Sequence, residues 1–402
     1  MREGARHGTH RALELVGRSV GGLPEAYETT HGQPFSILRR VSGGLRGTAP
    51  VSRALRSRPQ PHCPLCGERG APLYDGLRDR LLGRPEAWSL VRCRETTCGL
   101  LWLDPQPIEE EIALAYAGAY PTHLVHDPPQ GLVRRLYLAV ERGYFAHAFG
   151  YDSPTVRAWQ RLTGRALAWL PLRRAGCDFR VMHLTARPGG RLLDVGCGSG
   201  AHLMLLRQLG WRVEGVDFDP SAVAAARARG LEVRCGTIDD QGYAAGVFDA
   251  VVASHVLEHL FDPVRFIREC SRILAPGGRL VLVTPNTASA SHKRFGSSWF
   301  PLEPPRHIMM FHSGLLRRLV EQTELTVERL TTSVRGAGPN WMLSRRIQTD
   351  GVADLYRPPS RPERVGVYLS ALAAWAFCLV SRESGEELVL VARRGSPPQR
   401  DG

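Results

Sequence analysis

The segment Arg191-Leu-Leu-Asp194-Val-Gly196-Cys-Gly198-Ser-Gly200 is a short apolar strand that runs into three alternate glycines and then a helix-forming run, Ala201 to Leu209. Glycines at such a turn let the backbone bend sharply and approach a ligand with no Cβ in the way. Spacing alone leaves the ligand open, because Gly196-x-Gly198-x-x-Ala201 with Asp217 about 20 residues on also satisfies a dinucleotide fingerprint. Charge favours a different ligand. Asp194 sits two residues before the first glycine, where a carboxylate attracts a cation and repels a pyrophosphate. The next strand ends in Val216-Asp217-Phe218, a carboxylate for two ribose hydroxyls and an aromatic edge for a base. A fourth strand runs into Ser254-His255-Val-Leu-Glu258-His259, and a fifth follows Leu274-Ala-Pro276-Gly277-Gly278. Neither segment belongs to a dinucleotide motif.

A second constellation is Cys63-Pro-Leu-Cys66-Gly with Cys93 and Cys98 returning after a hairpin-sized stretch. Two such pairs supply four thiolates, the tetrahedral set Zn²⁺ takes in closed structural sites. With no open coordination position, the metal folds its module and takes no part in chemistry.

Together the glycine turn, the HVLEH segment and the Leu-x-Pro-Gly-Gly run resemble class I S-adenosylmethionine-dependent methyltransferases, specifically a bacterial branch. The likeness extends from about Arg191 to Thr331. Downstream, Asn286 to Ser289, Phe295-Gly296, Trp299, Pro304-Pro305-Arg306-His307 and Phe311 look like the segment in members that carry an N-terminal zinc ribbon. The resemblance implies that Gly196, Gly198 and Gly200 cradle the methionine part of S-adenosylmethionine, with Asp194 near its ammonium group. Asp217 would hold the ribose, Phe218 flank the adenine, and Ser254 line the site from the fourth strand. One departure is visible: after the third strand this family often has an acidic residue beside the adenine amino group, where this chain has Thr237. Adenine recognition then falls to the backbone at Ile238 or to Asp239.

Methyl transfer from a sulfonium is an in-line displacement, so holding nucleophile and methyl group in line supplies most of the catalysis. A hydroxyl acceptor also needs a base, worth roughly 10²- to 10⁴-fold. His307 is the first candidate because it lies in the long connection after the fifth strand, and ligand crevices of α/β sheets lie beyond the carboxyl ends of the strands. His255 and His259 are the others. A small-molecule or saccharide hydroxyl is the expected acceptor. Two further readings stay open: an rRNA or tRNA base methyltransferase that uses the ribbon to bind RNA, and a zinc-ribbon adaptor with an inactive cofactor fold.

These groups need a scaffold. From Arg191 onward strand-like runs (191–195, 212–217, 231–235, 248–253 and 279–284) alternate with helix-forming segments, which implies right-handed βαβ crossovers and a mostly parallel sheet covered on both faces. Strands at 326–331 and 387–392 complete a Rossmann-like α/β fold of seven strands with an N-terminal four-cysteine zinc-ribbon module and helical insertions. The expected organisation is a basic flexible tail over 1–60 with a short helix near Arg11–Val20, the ribbon over 61–130, two linker or lid helices over 131–185, the cofactor-binding core over 186–333, and an insertion with the final strand over 334–402.

Within that last part the 16-residue apolar run Val365 to Val380 falls short of the roughly 20 residues needed to span a bilayer. It reads as a lid, a homodimer contact or a helix in a membrane interface. Length 402 with 43% hydrophobic and 23% charged residues excludes disordered, collagen-like and multi-span chains. The net charge of +13 rests on arginine, since Lys293 is the single lysine among 52 basic residues. Those arginines are spread along the chain, which argues against nucleic acid as the partner. Nine cysteines without a disulfide-scaffold pattern and no apolar run after the basic N-terminus point to a reducing, cytoplasmic setting.

Overall fold

Apolar residues alternate faces along each core strand, and that alternation builds two cores on one sheet. The computed structural model describes residues 54–116 and 131–395. The expected helix near Arg11–Val20 and most of the tail lie outside the described residues. Strands β6 (Arg191–Val195), β7 (Arg212–Asp217), β8 (Val233–Cys235), β9 (Phe248–Ser254), β10 (Leu274–Pro285), β12 (Leu325–Ser333) and β13 (Glu387–Arg394) form one sheet in the order β12-β13-β10-β9-β6-β7-β8. All run parallel except β13, which is antiparallel to both β10 and β12. Leu280 and Leu282 belong to one core and their neighbours Val281 and Val283 to the other, the period-2 signature of a sheet covered on both faces. Each such fully buried aliphatic side chain contributes roughly 1.5–3 kcal/mol.

Helices α4 (Ala201–Gln208) and α5 (Pro220–Ala228) cover one face; α6 (Pro263–Ile273) and α8 (Ser313–Glu321) cover the other. Their starts are set locally. Asp219 accepts from the Ser221 and Ala222 amides ahead of Pro220, and Asp262 accepts from the Arg265 amide at 2.9 Å ahead of Pro263. A proline at the first helical position after a carboxylate cap is a strong start signal.

The N-terminal module contains β1 (Ser57–Arg58), β2 (Gly70–Arg78), β3 (Ala87–Cys93), β4 (Leu101–Leu103) and β5 (Gln106–Pro107). Its four-stranded antiparallel sheet has the order β11-β4-β3-β2, and β11 (Met309–Met310) comes from the segment after β10. The ribbon is therefore continuous with the core: Cys63, Val91, Cys98 and Trp102 share a cluster with Val195, Val251 and Leu282. Strand β1 pairs with β5, which brings the last residues of the expected tail into the fold.

Three helices, not two, occupy the linker: α1 (Leu132–Phe149), α2 (Ala158–Leu167) and α3 (Pro171–Arg180). The third begins at Pro171, a residue favoured at the first helical position, within the stretch 131–185 for which two helices were expected. Helix α7 (Ala290–Phe295) follows β10, and the late insertion is a helix pair, α9 (Ala337–Asp350) and α10 (Arg361–Val380). At 20 residues α10 is long and apolar enough to cross a membrane, which corrects the shorter 16-residue estimate. The Ser360–Glu363 capping box starts it four residues before the apolar run.

Candidate active site at the carboxyl ends of the strands

The turn after β6 has the backbone its glycines permit. Gly196, Gly198 and Gly200 all have positive φ (72°, 53° and 79°). A Cβ on Gly196 would lie 2.5 Å from Val256, and one on Gly200 2.2 Å from Leu231, so larger residues are excluded by contact as well as by strain. Asp217 orders the turn from β7: one carboxylate oxygen accepts from the Gly198 amide at 2.8 Å, the other from the Asp219 amide at 2.9 Å.

Asp194, at the end of β6, is 2% exposed, and its Oδ2 has no hydrogen-bond partner. Burial first, and the nearby Asp217 charge second, push its carboxyl up to about 8. A buried carboxylate oxygen without a partner is costly, and a cation seated above the glycine turn relieves that cost. This fits the ammonium-bearing part of S-adenosylmethionine and does not fit a pyrophosphate.

On the adenine side, Phe218 is half-exposed and meets Tyr116 edge-on with ring centroids 5.0 Å apart. Ile238 is buried, Asp239 pairs with Arg265 at 3.2 Å, and Ser254 is half-buried at the end of β9.

The three histidines divide into two environments. His255, with φ 55°, places Nδ1 3.1 Å from Glu258 and Nε2 3.1 Å from Glu387 on β13. Burial disfavours its charge, yet hydrogen bonds to the two carboxylates outweigh that and raise it to about 9. Glu258 is fully buried. Burial opposes its ionisation, but the His255 bond and charge bring it down to about 2, and its other oxygen accepts from Thr284 at 2.9 Å.

His259 and His307 instead face each other edge-on, centroids 4.7 Å apart. His307 Nδ1 lies 2.6 Å from the Pro301 carbonyl and His259 Nδ1 3.0 Å from that of Arg306. Carbonyls only accept, so both protons belong on Nδ1 and both lone pairs on Nε2. Tyr116 Oη also lies 2.8 Å from His259 Nδ1. Burial, then the neighbouring His307, lowers His259 to about 4, so it stays neutral.

One site residue stands within a sequence motif without a role of its own. Arg306, fully buried, binds Asp79 of the ribbon through both terminal nitrogens (2.9 and 2.7 Å), Glu303 through Nε at 2.9 Å, and the Ala115 carbonyl at 3.0 Å. It thus fixes Tyr116, next in sequence to its partner Ala115, and His307, its own neighbour in the chain. Breaking a buried pair of this kind by removing one partner costs about 3–5 kcal/mol.

The cysteines converge as their spacing predicts. The ligand atoms of Cys63, Cys66, Cys93 and Cys98 all lie within 4.8 Å of one another, with Cys63–Cys98 at 3.7 Å and Cys66–Cys93 at 3.4 Å. A tetrahedral site with Zn–S of about 2.3 Å separates sulfurs by about 3.8 Å, so the cage fits zinc with little movement. The hydrogen bond shared by Cys63 and Cys98 favours a thiolate on one of the two sulfurs.

Comparison with known proteins agrees with this geometry. Residues 157–330 match the model of a family described as Methyltransferase domain. The chain is 39% identical over 122 residues to the Ubiquinone biosynthesis O-methyltransferase of Xanthomonas oryzae pv. oryzae, covering 28% of this chain and 51% of that protein. It is 35% identical over 161 residues to a Mycolicibacterium smegmatis protein named "Probable S-adenosylmethionine-dependent methyltransferase", covering 40% of this chain and 60% of that one. The chain thus spans about half to three fifths of these relatives. A solved geranyl diphosphate C-methyltransferase from Streptomyces coelicolor A3(2) aligns over 71% of this chain and 97% of its own, at 19% identity and a TM-score of 0.40. The strand order, the glycine turn and the matched segment make residues 157–330 a class I S-adenosylmethionine-dependent methyltransferase domain.

Proposed function

We propose that the protein transfers the methyl group of S-adenosylmethionine to a hydroxyl of a small-molecule acceptor, with zinc held by the four cysteines as a structural ion. The observation that carries the first part is the unpartnered Asp194 oxygen beneath the glycine turn, a built site for a cation. The relative named as an O-methyltransferase supports oxygen as the atom methylated. A saccharide acceptor rests on the family resemblance alone.

When bound, the sulfonium cofactor supplies an activated methyl group. The chain supplies position and a base. His255 has Nδ1 on Glu258 and Nε2 between Glu387 and the Arg335 guanidinium, whose Nη2 lies 3.0 Å away, so both ring nitrogens are engaged and the ring serves to orient Glu258. His259 and His307 remain, each with Nδ1 against a backbone carbonyl, which leaves Nε2 as the nitrogen that would accept a proton. His259 stays neutral, and so able to accept a proton, down to about pH 4, although the same burial makes it a weaker base than an ordinary imidazole.

Substituting His259→Asn is expected to lower kcat by about 10²- to 10⁴-fold while leaving cofactor affinity within a few-fold. The wild-type acid limb would then fall near pH 4, well below the ordinary histidine value. Transfer of a labelled methyl group into a pool of hydroxylated small molecules, followed by mass analysis of the product, tests the reaction. Cofactor binding without any transfer would favour the adaptor reading, and methylated RNA in the same assay would favour the RNA one.

A further inference from the structure

Helix α10 is exposed along nearly its whole length, with Ala374 its one buried residue. Val365, Leu369, Leu372 and Leu379 recur at i, i+4, i+7 and i+14, one stripe of the helix, and are 49–67% exposed. Val380 and Phe377 beside them are 90% and 58% exposed. The opposite face is seated: a Cβ on Gly366 would lie 2.1 Å from Trp341, so α10 packs directly on α9.

Helix α3 touches both α10 and α1, and α2 next to α1 leaves Trp159 and Leu162 open, with Trp169 exposed in the turn just after it. Apolar surface of this extent on a polar-rimmed face marks a binding surface.

Charge says what covers it. Residues 131–180 contain nine arginines against three acidic residues. All three acids are paired internally: Glu141 with Arg180, Asp152 with Arg161 and Asp178 with Arg174. Arg361 and Arg364 stand at one end of α10 and Arg382 just beyond the other, with Glu383 next to it and engaged by Ser313. A second copy docked here would set one cationic rim against another. An anionic bilayer neutralises the rim, each nearby arginine adding roughly fivefold to partitioning.

Length alone permits spanning, but the connections do not. Val380 is seven residues from Glu387 of β13, Asp350 is eleven from Arg361, and α9 and β13 belong to one domain on one side of any bilayer. Both ends of α10 stay with that domain.

We propose that α10, together with the exposed edges of α1 and α2, docks the protein on an anionic lipid surface, with α10 lying in the plane of the interface. The inference is independent of which acceptor is methylated.

Full-length protein floated with vesicles tests it. Phosphatidylglycerol–phosphatidylcholine vesicles are expected to carry the protein at low salt, at least about tenfold better than phosphatidylcholine alone, with binding weakened by high salt. Leu369→Glu with Leu372→Glu should lower partitioning at least about tenfold, with thermal midpoint and S-adenosylmethionine affinity unchanged. Arg361→Ala with Arg382→Ala should lower binding to anionic vesicles and leave the weak binding to neutral ones. Absence of wild-type binding to anionic vesicles would overturn the proposal, as would a leucine variant that binds them normally. So would one that turns a dimer into a monomer with partitioning unchanged, since a second copy would then be the occupant.

Discussion

In an Asp194→Asn variant, affinity for S-adenosylmethionine falls by roughly 100-fold while the ligand-free protein gains stability in mild alkali. Both effects come from one orphaned oxygen. Its folded-state value of about 8 lies far above the ordinary 3.8. Below about pH 4 the carboxyl is protonated in folded and unfolded chains alike, and its contribution to stability is fully present. Between about 4 and 8 the unfolded chain ionises first, so stability drains away as pH rises, and by pH 8–9 the loss is complete. Asparagine does not ionise and escapes that loss.

In the wild type a bound cation cancels the cost instead. Cofactor binding should therefore strengthen as pH rises toward 8 and release a proton below it, which calorimetry in two buffers of different ionisation heat reads directly. Equal affinities, or superimposable stability profiles for the two proteins, would end the assignment of Asp194 as the cation's partner.

Cys63→Ser is expected to have the largest effect on the fold: loss of one zinc per chain and a collapse in stability felt far from the ribbon. Structural zinc contributes on the order of 10–16 kcal/mol in small modules, comparable to or more than a whole domain's margin of about 5–15. Here the loss cannot stay local. Cys63, Cys93 and Cys98 share a core with Val195 and Leu282, and Arg306 ties Asp79 of the ribbon to the His307 segment. Metal analysis of the purified full-length protein and thermal unfolding with and without chelator check both halves. Wild-type protein free of zinc, or a serine variant that melts normally, would show the cysteines to be merely close neighbours.

The central sheet was legible because strands buried on both faces carry short apolar runs, as in Leu192–Leu193 and Ala250–Ala253, with glycine or a capped helix behind them. The cysteine cage was legible from spacing alone. Tyr116 was not, because nothing local distinguishes it; it reaches His259 only through the ribbon's packing, 143 residues away in sequence. Arg306 read as part of a motif without a role, since its carboxylate partner Asp79 lies 227 residues distant. Glu387 lay inside an ordinary strand until β13 set it against His255. Long-range charge pairing leaves no periodic trace, and the Asp79–Arg306 and His255–Glu387 pairs of this site are of that kind.

The borrowed strand β11 imposes an order on biosynthesis. The ribbon's own strands leave the ribosome long before Met309 and Met310 exist, so the nascent module waits with β4 as an open, hydrogen-bond-hungry margin. Metal capture alone therefore cannot complete it. The ribbon reaches its finished state only after most of the chain has been translated, which makes the earliest part of the fold among the last to mature.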